Sequence, residues 1–278
     1  MILNKVLLGG RVSLDPELRV TQKGTAVCNF SVAYNPPPRR NASGAKVDVP
    51  AVFIPCVLWG KSAETFVSRF KKGSAVFLDG TLKQDEFIHK EAKVAIRTNV
   101  VSVALFQRPK VTNLNFCKVF ISGSVTQKPE LRTLTKGRAT PLKISNLAIV
   151  HFPMPYKDAS GAEVEQERIL MDCTCFDQDA TNVAQYLDKL QHVLVEGVFY
   201  AHEQKIHGLP KPRKTLRIGV ESVKFLKRET SDAGSARGAA QQNPAAQHTG
   251  DNSDLAGVGA GVGNGQGKPG ELDEDVPF

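Results

Sequence analysis

Apolar and polar residues alternate along much of this chain, and once in each half the alternation gives way to a helical stripe. AVCNFSVAY (26–34) and VFIPCVLW (52–59) are rich in β-branched and aromatic residues, and AVFLDGTL (75–82) and VAIRTNVVSV (94–103) supply later strands. Between the third and fourth strands Ala63, Phe66, Val67 and Phe70 fall at i, i+3, i+4 and i+7, one face of a helix. Ser62 is the expected N-cap and Gly73 the expected stop. In FIPCVLW, period two puts Ile54, Cys56 and Leu58 on one face and Phe53, Pro55, Val57 and Trp59 on the other. A helix directly after Trp59 closes the bottom of a barrel, so the small aliphatic set is expected inside and the Phe53/Trp59 set outside.

The pattern occurs twice. KVLLGGRVSLDPELRVTQKGTA, from Lys5, aligns with KVFISGSVTQKPELRTLTKGRA, from Lys118, at a shift of 113, with identities at Val6/Val119, Gly10/Gly123 and the PELR run. Further on the shift is 117, pairing Cys56 with Cys173, Trp59 with Phe176, Ala63 with Ala180 and Gly80 with Gly197. The helical stripe returns as Ala180, Val183, Ala184 and Leu187. Five strands with one short helix between strands three and four is the order of an OB-fold, a small, partly open barrel that binds oligonucleotides. The expected class is therefore all-β: two tandem OB-folds at 1–106 and 115–228, a connector at 107–114, a disordered linker at 229–270 and an acidic tip at 271–278.

Charge sharpens this picture. Residues 229–278 hold two basic and eight acidic side chains, net −6, which leaves 34 basic against 20 acidic, net +14, upstream. Clustered Lys and Arg attract phosphates through Coulomb forces and counterion release, so a polyanion-binding body is expected. The first copy, at +9 over 1–110, is more basic than the second, at +5 over 111–228. Five cysteines show neither CxxC nor a histidine at zinc spacing, so no disulfide framework, metal or cofactor is expected, and Cys173-x-Cys175 reads as one face of a strand. No run approaches the roughly 20 apolar residues of a membrane span, and the amino terminus lacks a secretory pattern, so a cytoplasmic protein without membrane attachment is expected. P-loop, GxSxG and HExxH motifs are absent, which argues against an enzyme.

Outward aromatics in a basic protein are candidate platforms for bases, because every base has a π-face. Phe53 and Trp59 are the first candidates; the alternative is that they pack beneath a loop or a subunit contact. Phe87 sits in the hairpin between strands four and five, with Lys83 beside it. Tyr34 opens the long loop between strands two and three, where Arg39 and Arg40 can reach phosphates. In the second copy Phe176 replaces Trp59, Leu170 replaces Phe53, and Asp172 stands on the same outward face, where it would repel phosphate. Phe152 and Tyr156 are that copy's loop aromatics, and Lys211–Arg217 is strongly basic. The first copy is expected to bind more strongly.

NKVLLGGRVSLDPELRVTQKGTAVCNFSVAYN, FIPCVLWGKSAETFVSRFKKGSAVFLDGTL and the terminal DEDVPF resemble the bacterial single-stranded DNA-binding proteins. The resemblance is strong over 1–106, weaker over 115–226 and nearly complete at the tip. It implies sequence-nonspecific binding of single-stranded DNA in replication, recombination and repair, near the nucleoid, with Phe53, Trp59 and Phe87 as stacking residues. The family's loop aromatic falls near Pro38, where this chain has none, and Tyr34 stands in for it. Two copies in one chain resemble the subtype in which a homodimer supplies four OB-folds. An RNA-binding OB-fold protein is the alternative, since stacking and phosphate contacts read the 2′-hydroxyl poorly.

The stretch 229–270 contains no Trp, Tyr, Phe, Ile or Met and is expected to stay disordered. Its 42 residues give a reach of roughly 35 Å as a flexible chain. At its end Asp273, Glu274, Asp275, Val276, Pro277 and Phe278 join acidic groups to an aromatic ring that has nothing local to bury it. A partner's pocket can take the ring while basic side chains meet the carboxylates. The resemblance implies that this tip recruits replication and repair proteins.

Overall fold

The computed structural model describes residues 2–40, 45–88, 95–111, 114–135, 141–157, 161–205 and 212–226; the linker at 229–270 and the tip at 271–278 lie outside the described residues. The first copy runs β1 (Asn4–Val12), β2 (Glu17–Val20), β3 (Ala26–Tyr34), β4 (Arg39–Arg40), β5 (Lys46–Val47), β6 (Val52–Trp59), α1 (Gly60–Arg69), β7 (Ala75–Ile88) and β8 (Ala95–Gln107). The second runs β9 (Phe116–Val125), β10 (Leu131–Leu134), β11 (Leu142–His151), β12 (Tyr156–Lys157), β13 (Glu163–Val164), β14 (Ile169–Phe176), α2 (Asp177–Tyr186), β15 (His192–Gln204) and β16 (Arg213–Leu226).

Each copy closes on itself. In the first, the hydrogen-bonded order is β1-β7-β8-β6-β3 and back to β1, with β6 and β8 parallel. In the second it is β9-β15-β16-β14-β11 and back to β9. This is the OB-fold ring expected from the strand order, with the helix between strands three and four. Closure explains two of the repeat's identities. A Cβ on Gly10 or Gly123 would lie 2.4 or 2.6 Å from the carbonyl oxygen of Ala33 or Val150, the point where the first strand meets the second. One on Gly80 or Gly197 would lie 2.4 or 2.2 Å from that of Ser102 or Gly219, beside a bulge in each long hairpin.

The interior follows the alternation. Ile54, Cys56 and Leu58 point inward and are essentially inaccessible, and Ala63, Phe66 and Phe70 of the helical stripe bury against them. Phe66 packs on Phe30, Phe70 and Phe106 at centroid distances of 4.3, 4.6 and 5.2 Å. The helix begins three residues before the sequence suggested, with Trp59 rather than Ser62 as its N-cap, because Gly60 takes φ +58° and turns the strand straight into the helix. All five cysteines are free and buried, the Cys173/Cys175 pair among them. Burial raises their thiol pKa values, to about 12 for Cys117 and Cys175. Among the described residues no group of His, Cys, Asp and Glu is placed to hold a metal ion, and no helix is long and apolar enough to cross a membrane.

The two barrels join through their first strands. β1 pairs antiparallel with β9 from Asn4↔Ile121 to Gly9↔Phe116, giving a continuous sheet β16-β15-β9-β1-β7-β8. Val6 faces its own repeat counterpart Val119, and both are fully buried, so a pseudo-twofold axis passes between them. The ion pair Lys5–Asp79 at 2.5 Å has its counterpart in Lys118–Glu196 at 2.9 Å. The connector is pinned at both ends: the Arg108 guanidinium lies 5.1 Å from the Phe70 centroid, and Asn115 Oδ1 accepts the Asn35 N–H at 2.8 Å.

Candidate nucleic-acid interface

β6 presents its odd positions outward. Phe53 is 58% exposed and Trp59 49%, large apolar surface for a strand whose other face is sealed. Val57, between them on the same face, is covered by Val27 of β3 and Val100 of β8, so the outer wall of the first barrel is itself apolar. Apolar rings exposed to this extent on such a wall offer π-surface for stacking with a planar ligand.

A crevice of about 110 Å³ opens beside Phe53. One wall is Ala51 with Phe53 and Pro55 of β6, joined by Thr98 and Asn99 of β8; the other comes from the second copy's long hairpin, with Ala201, Thr215 and Leu216. Arg97, Arg213 and Lys214 stand on its rim. Arg213 reaches across the junction to donate to Thr98 Oγ1 at 3.1 Å, while Arg97 and Lys214 pair with Glu86 and Glu203 at 2.9 and 3.8 Å. The sequence marked Lys211–Arg217 as basic but did not place it beside Phe53. Arg97 was missed, although its outward place beside Ile96 was open to a period-two reading of strand five.

The other expected residues fall in several places. Tyr34 is no base platform: it is 4% exposed and belongs to the core. It shares the inward face of β3 with Cys28, Phe30 and Val32, a period-two signal that outweighs its position at a loop. Arg39 and Arg40 form β4, paired with Val47 and Lys46, and Phe87 sits in β7 opposite Ile96; the side chains of these three lie outside the described residues. Lys83 is exposed on β7 and shares a second hollow of about 460 Å³ with Met154 and Tyr156, rimmed by Asp85, Glu165 and Glu167. Phe152 and Tyr156 are 58% and 52% exposed. This hollow joins the copies as the first does, but its rim is acidic, which disfavours phosphate.

The second copy's outward face differs from the first's. Phe176 is half-buried, and Leu170 occupies the Phe53 position at 36% exposure. Asp172 is not a bare negative charge, because Arg217 Nε lies 3.7 Å from its carboxylate. Thr174 and Tyr200 share a hydrogen bond of 2.6 Å on the same face. Where the first copy has Pro55, Val57 and Val100, the second has Asp172, Thr174 and Arg217, a polar network with less apolar ring surface.

The Single-strand binding protein family matches residues 3–107 and again 116–226. Relatives named single-stranded DNA-binding protein include those of Oceanobacillus iheyensis, 39% identical over 101 residues, and Halalkalibacterium halodurans, 36% over 110. These matches cover 36% and 39% of this chain and 60% and 63% of the relatives, so the chain spans less than two thirds of either relative's length. In three dimensions the chain is similar to the wild-type single-stranded DNA binding protein from Thermus aquaticus, with a TM-score of 0.63 at 20% identity over 84% of this chain and 97% of that one. A deletion variant of the Thermus protein gives 0.66 at 18% identity, over 84% and 98%. At such identities the likeness speaks for the fold, while the repeated sequence match spans every described strand of both barrels. The chain belongs to the Single-strand binding protein family and carries the family's domain twice.

Proposed function

We propose that this protein binds single-stranded DNA with little sequence preference and protects it during replication, recombination and repair, as a non-enzymatic protein of the cytoplasm and nucleoid. The observation that carries this reading is the exposed Phe53/Trp59 face with a cationic rim beside it. Stacking accepts any base and cations accept any phosphate, so the surface is built for strands rather than sequences. A duplex hides its base faces and cannot use the rings. Each relative named above carries DNA, not RNA, in its name, and no observation favours RNA.

In this reading residues 1–106 are the stronger binding domain and 115–228 the weaker, joined by 107–114. A homodimer would present four OB-folds. The linker 229–270 would tether the tip, Asp273–Phe278, as the recruiting site for replication and repair proteins. Phe278→Ala should then abolish partner capture and leave DNA binding intact. The deciding experiment for the body is a titration of oligothymidylate against a duplex of matched length at several salt concentrations. Tight binding to the single strand alone, weakening as salt rises, is expected; equal affinity for the duplex would overturn the proposal.

A further inference from the structure

The pseudo-twofold axis relates the crevice beside Phe53 to a twin position beside Leu170, distinct from the acidic-rimmed hollow, and a side chain already occupies the twin. In the second copy, at the position equivalent to Phe53, the peptide group of Leu170 is capped by a side chain from the first copy: Gln84 Nε2 donates to Leu170 O at 2.9 Å, and Leu170 N–H donates to Gln84 Oε1 at 3.3 Å. Gln84 is fixed for this by Asn99, whose Oδ1 accepts from Gln84 Nε2 at 3.0 Å and whose Nδ2 donates to Leu216 O at 3.2 Å. A carboxamide therefore pairs edge to edge with strand three.

At the crevice beside Phe53 the partner residues differ. The repeat places Ala201 where Gln84 stands and Leu216 where Asn99 stands, the two facing each other across β15 and β16 as Gln84 and Asn99 do across β7 and β8. Phe53 sits opposite Ala33 in the same register as Leu170 opposite Val150. In an antiparallel pair the register decides which way a residue's N–H and C=O point, so the Phe53 peptide group faces the crevice as that of Leu170 faces Gln84. The methyl of Ala201 offers it nothing.

We propose that this crevice is a base-edge pocket: a nucleobase of the bound single strand takes the place that Gln84 holds in the twin, with its donor–acceptor edge on the Phe53 N–H and C=O. Every base carries an adjacent donor and acceptor on its Watson–Crick edge, as a carboxamide does, so the pocket reads the presence of a base and not its identity. Arg97 and Arg213 on the rim receive the flanking phosphates. The pocket is composite, one wall from each copy, and there is one per chain because Gln84 has already filled the other. This places Ala201 and Gln84 as the residues that set how many base pockets a chain offers.

The inference rests on the single-strand reading above, and two probes separate them. Oligothymidylate and the same oligomer made of N3-methylthymine, which stacks but lacks the donor, are titrated against the wild type and against Ala201→Gln. The wild type should prefer the unmethylated strand about tenfold, a preference worth one good hydrogen-bonded edge. Ala201→Gln, with an unchanged melting temperature, should bind oligothymidylate about tenfold more weakly and no longer distinguish the two. Equal affinity of the wild type for both oligomers overturns the base-edge pocket even if the variant fails to fold, and so does full affinity in a folded Ala201→Gln. Loss on Phe53→Ala alongside either result would leave single-strand binding standing, whereas no binding of either oligomer by the wild type would remove the reading itself.

Discussion

At the scale of single residues, burial separates rings that hold the fold from rings that can hold a ligand. The outward placement of Phe53 and Trp59 is legible because β6 alternates cleanly and its inner face is apolar. For Tyr34 the face it shares with Phe30 and Val32 outweighs its place at the start of a loop, and the ring belongs to the core. Trp59 is the only tryptophan, so oligothymidylate should quench the protein's indole fluorescence on binding. Phe53→Ala and Trp59→Ala should each weaken binding by about 1–3 kcal/mol, and Phe176→Ala by less, since its ring is half-buried in a polar face. If Phe176→Ala proves the most costly, the ranking of the two copies is reversed. The counterpart of Tyr34 in the second copy is His151, 2% exposed, with Nδ1–H donating to the Ser122 carbonyl at 2.6 Å. Burial holds its pKa below the ordinary 6.5, against the opposing effect of that hydrogen bond. Below pH 6.5 the unfolded chain takes up the proton first, so this residue's contribution to stability is full above that pH and lost as pH falls toward the folded-state value. His151→Tyr, restoring the first copy's residue, should flatten the fall in denaturant midpoint between neutral and mildly acidic pH; an unchanged pH profile would exclude His151 as its source.

At the scale of elements the two copies use the same turns with different residues, and the second carries the strain. The chain leaves strand three for the helix through Gly60 at φ +58° in the first copy and through Asp177 at φ +49° in the second. The turn after the helix passes through Gly73 at φ +82°, and in the second copy through Leu190 at φ +69°. The geometry is kept because the turn is hydrogen-bonded to the end of each barrel's first strand: Gly73 N–H bonds Val12 O and Leu190 N–H bonds Val125 O, both at 2.8 Å. A left-handed conformation costs a bulky L-residue about 1–2 kcal/mol, and glycine returns part of that through unfolded-state entropy. Leu190 is 60% exposed and buries little, so Leu190→Gly should raise stability by up to about 1 kcal/mol, read as a higher urea midpoint at unchanged slope. Asp177→Gly should gain less, since Asp tolerates this region and an acidic residue in the first turn of a helix is favoured by its dipole. A fall in midpoint for Leu190→Gly would contradict the strain. Strand positions and the helical stripe were visible in the sequence because each is a local period. The length of the β7–β8 and β15–β16 hairpins and the true helix start were not, since cross-strand pairing and one glycine's φ set them.

At the scale of the molecule, the repeat announced two barrels but not how they meet. The meeting is a long-range pairing of two first strands, and nothing in a local period distinguishes an edge that will be covered from one that stays open. That pairing explains why identity persists at Val6/Val119 while the outward faces have diverged: the pair on the axis sees its own counterpart, and the faces see different surroundings. It also bears on the first copy alone. β1 places Asn4 against Ile121, Lys5 against Phe120 and Val6 against Val119, and by the repeat these partners stand where Leu8, Leu7 and Val6 stand in the first copy. An antiparallel pair of two β1 strands about the same axis would therefore set Asn4 against Leu8, Lys5 against Leu7 and Val6 against itself, keeping the apolar partners that Asn4, Lys5 and Val6 have in the native junction and exchanging Cys117 for Asn4 opposite Leu8. A strand edge stripped of its partner seeks another, and an edge already complementary to a near-copy of itself closes most readily as an isologous dimer. Residues 2–107 expressed alone should accordingly sediment as a dimer, and Val6→Lys, which sets two like charges face to face on the axis, should return that fragment to a monomer that keeps its barrel by circular dichroism. A fragment that is monomeric with Val6 intact would show that β1–β9 pairing depends on the second copy's own residues and not on the symmetry the two strands share.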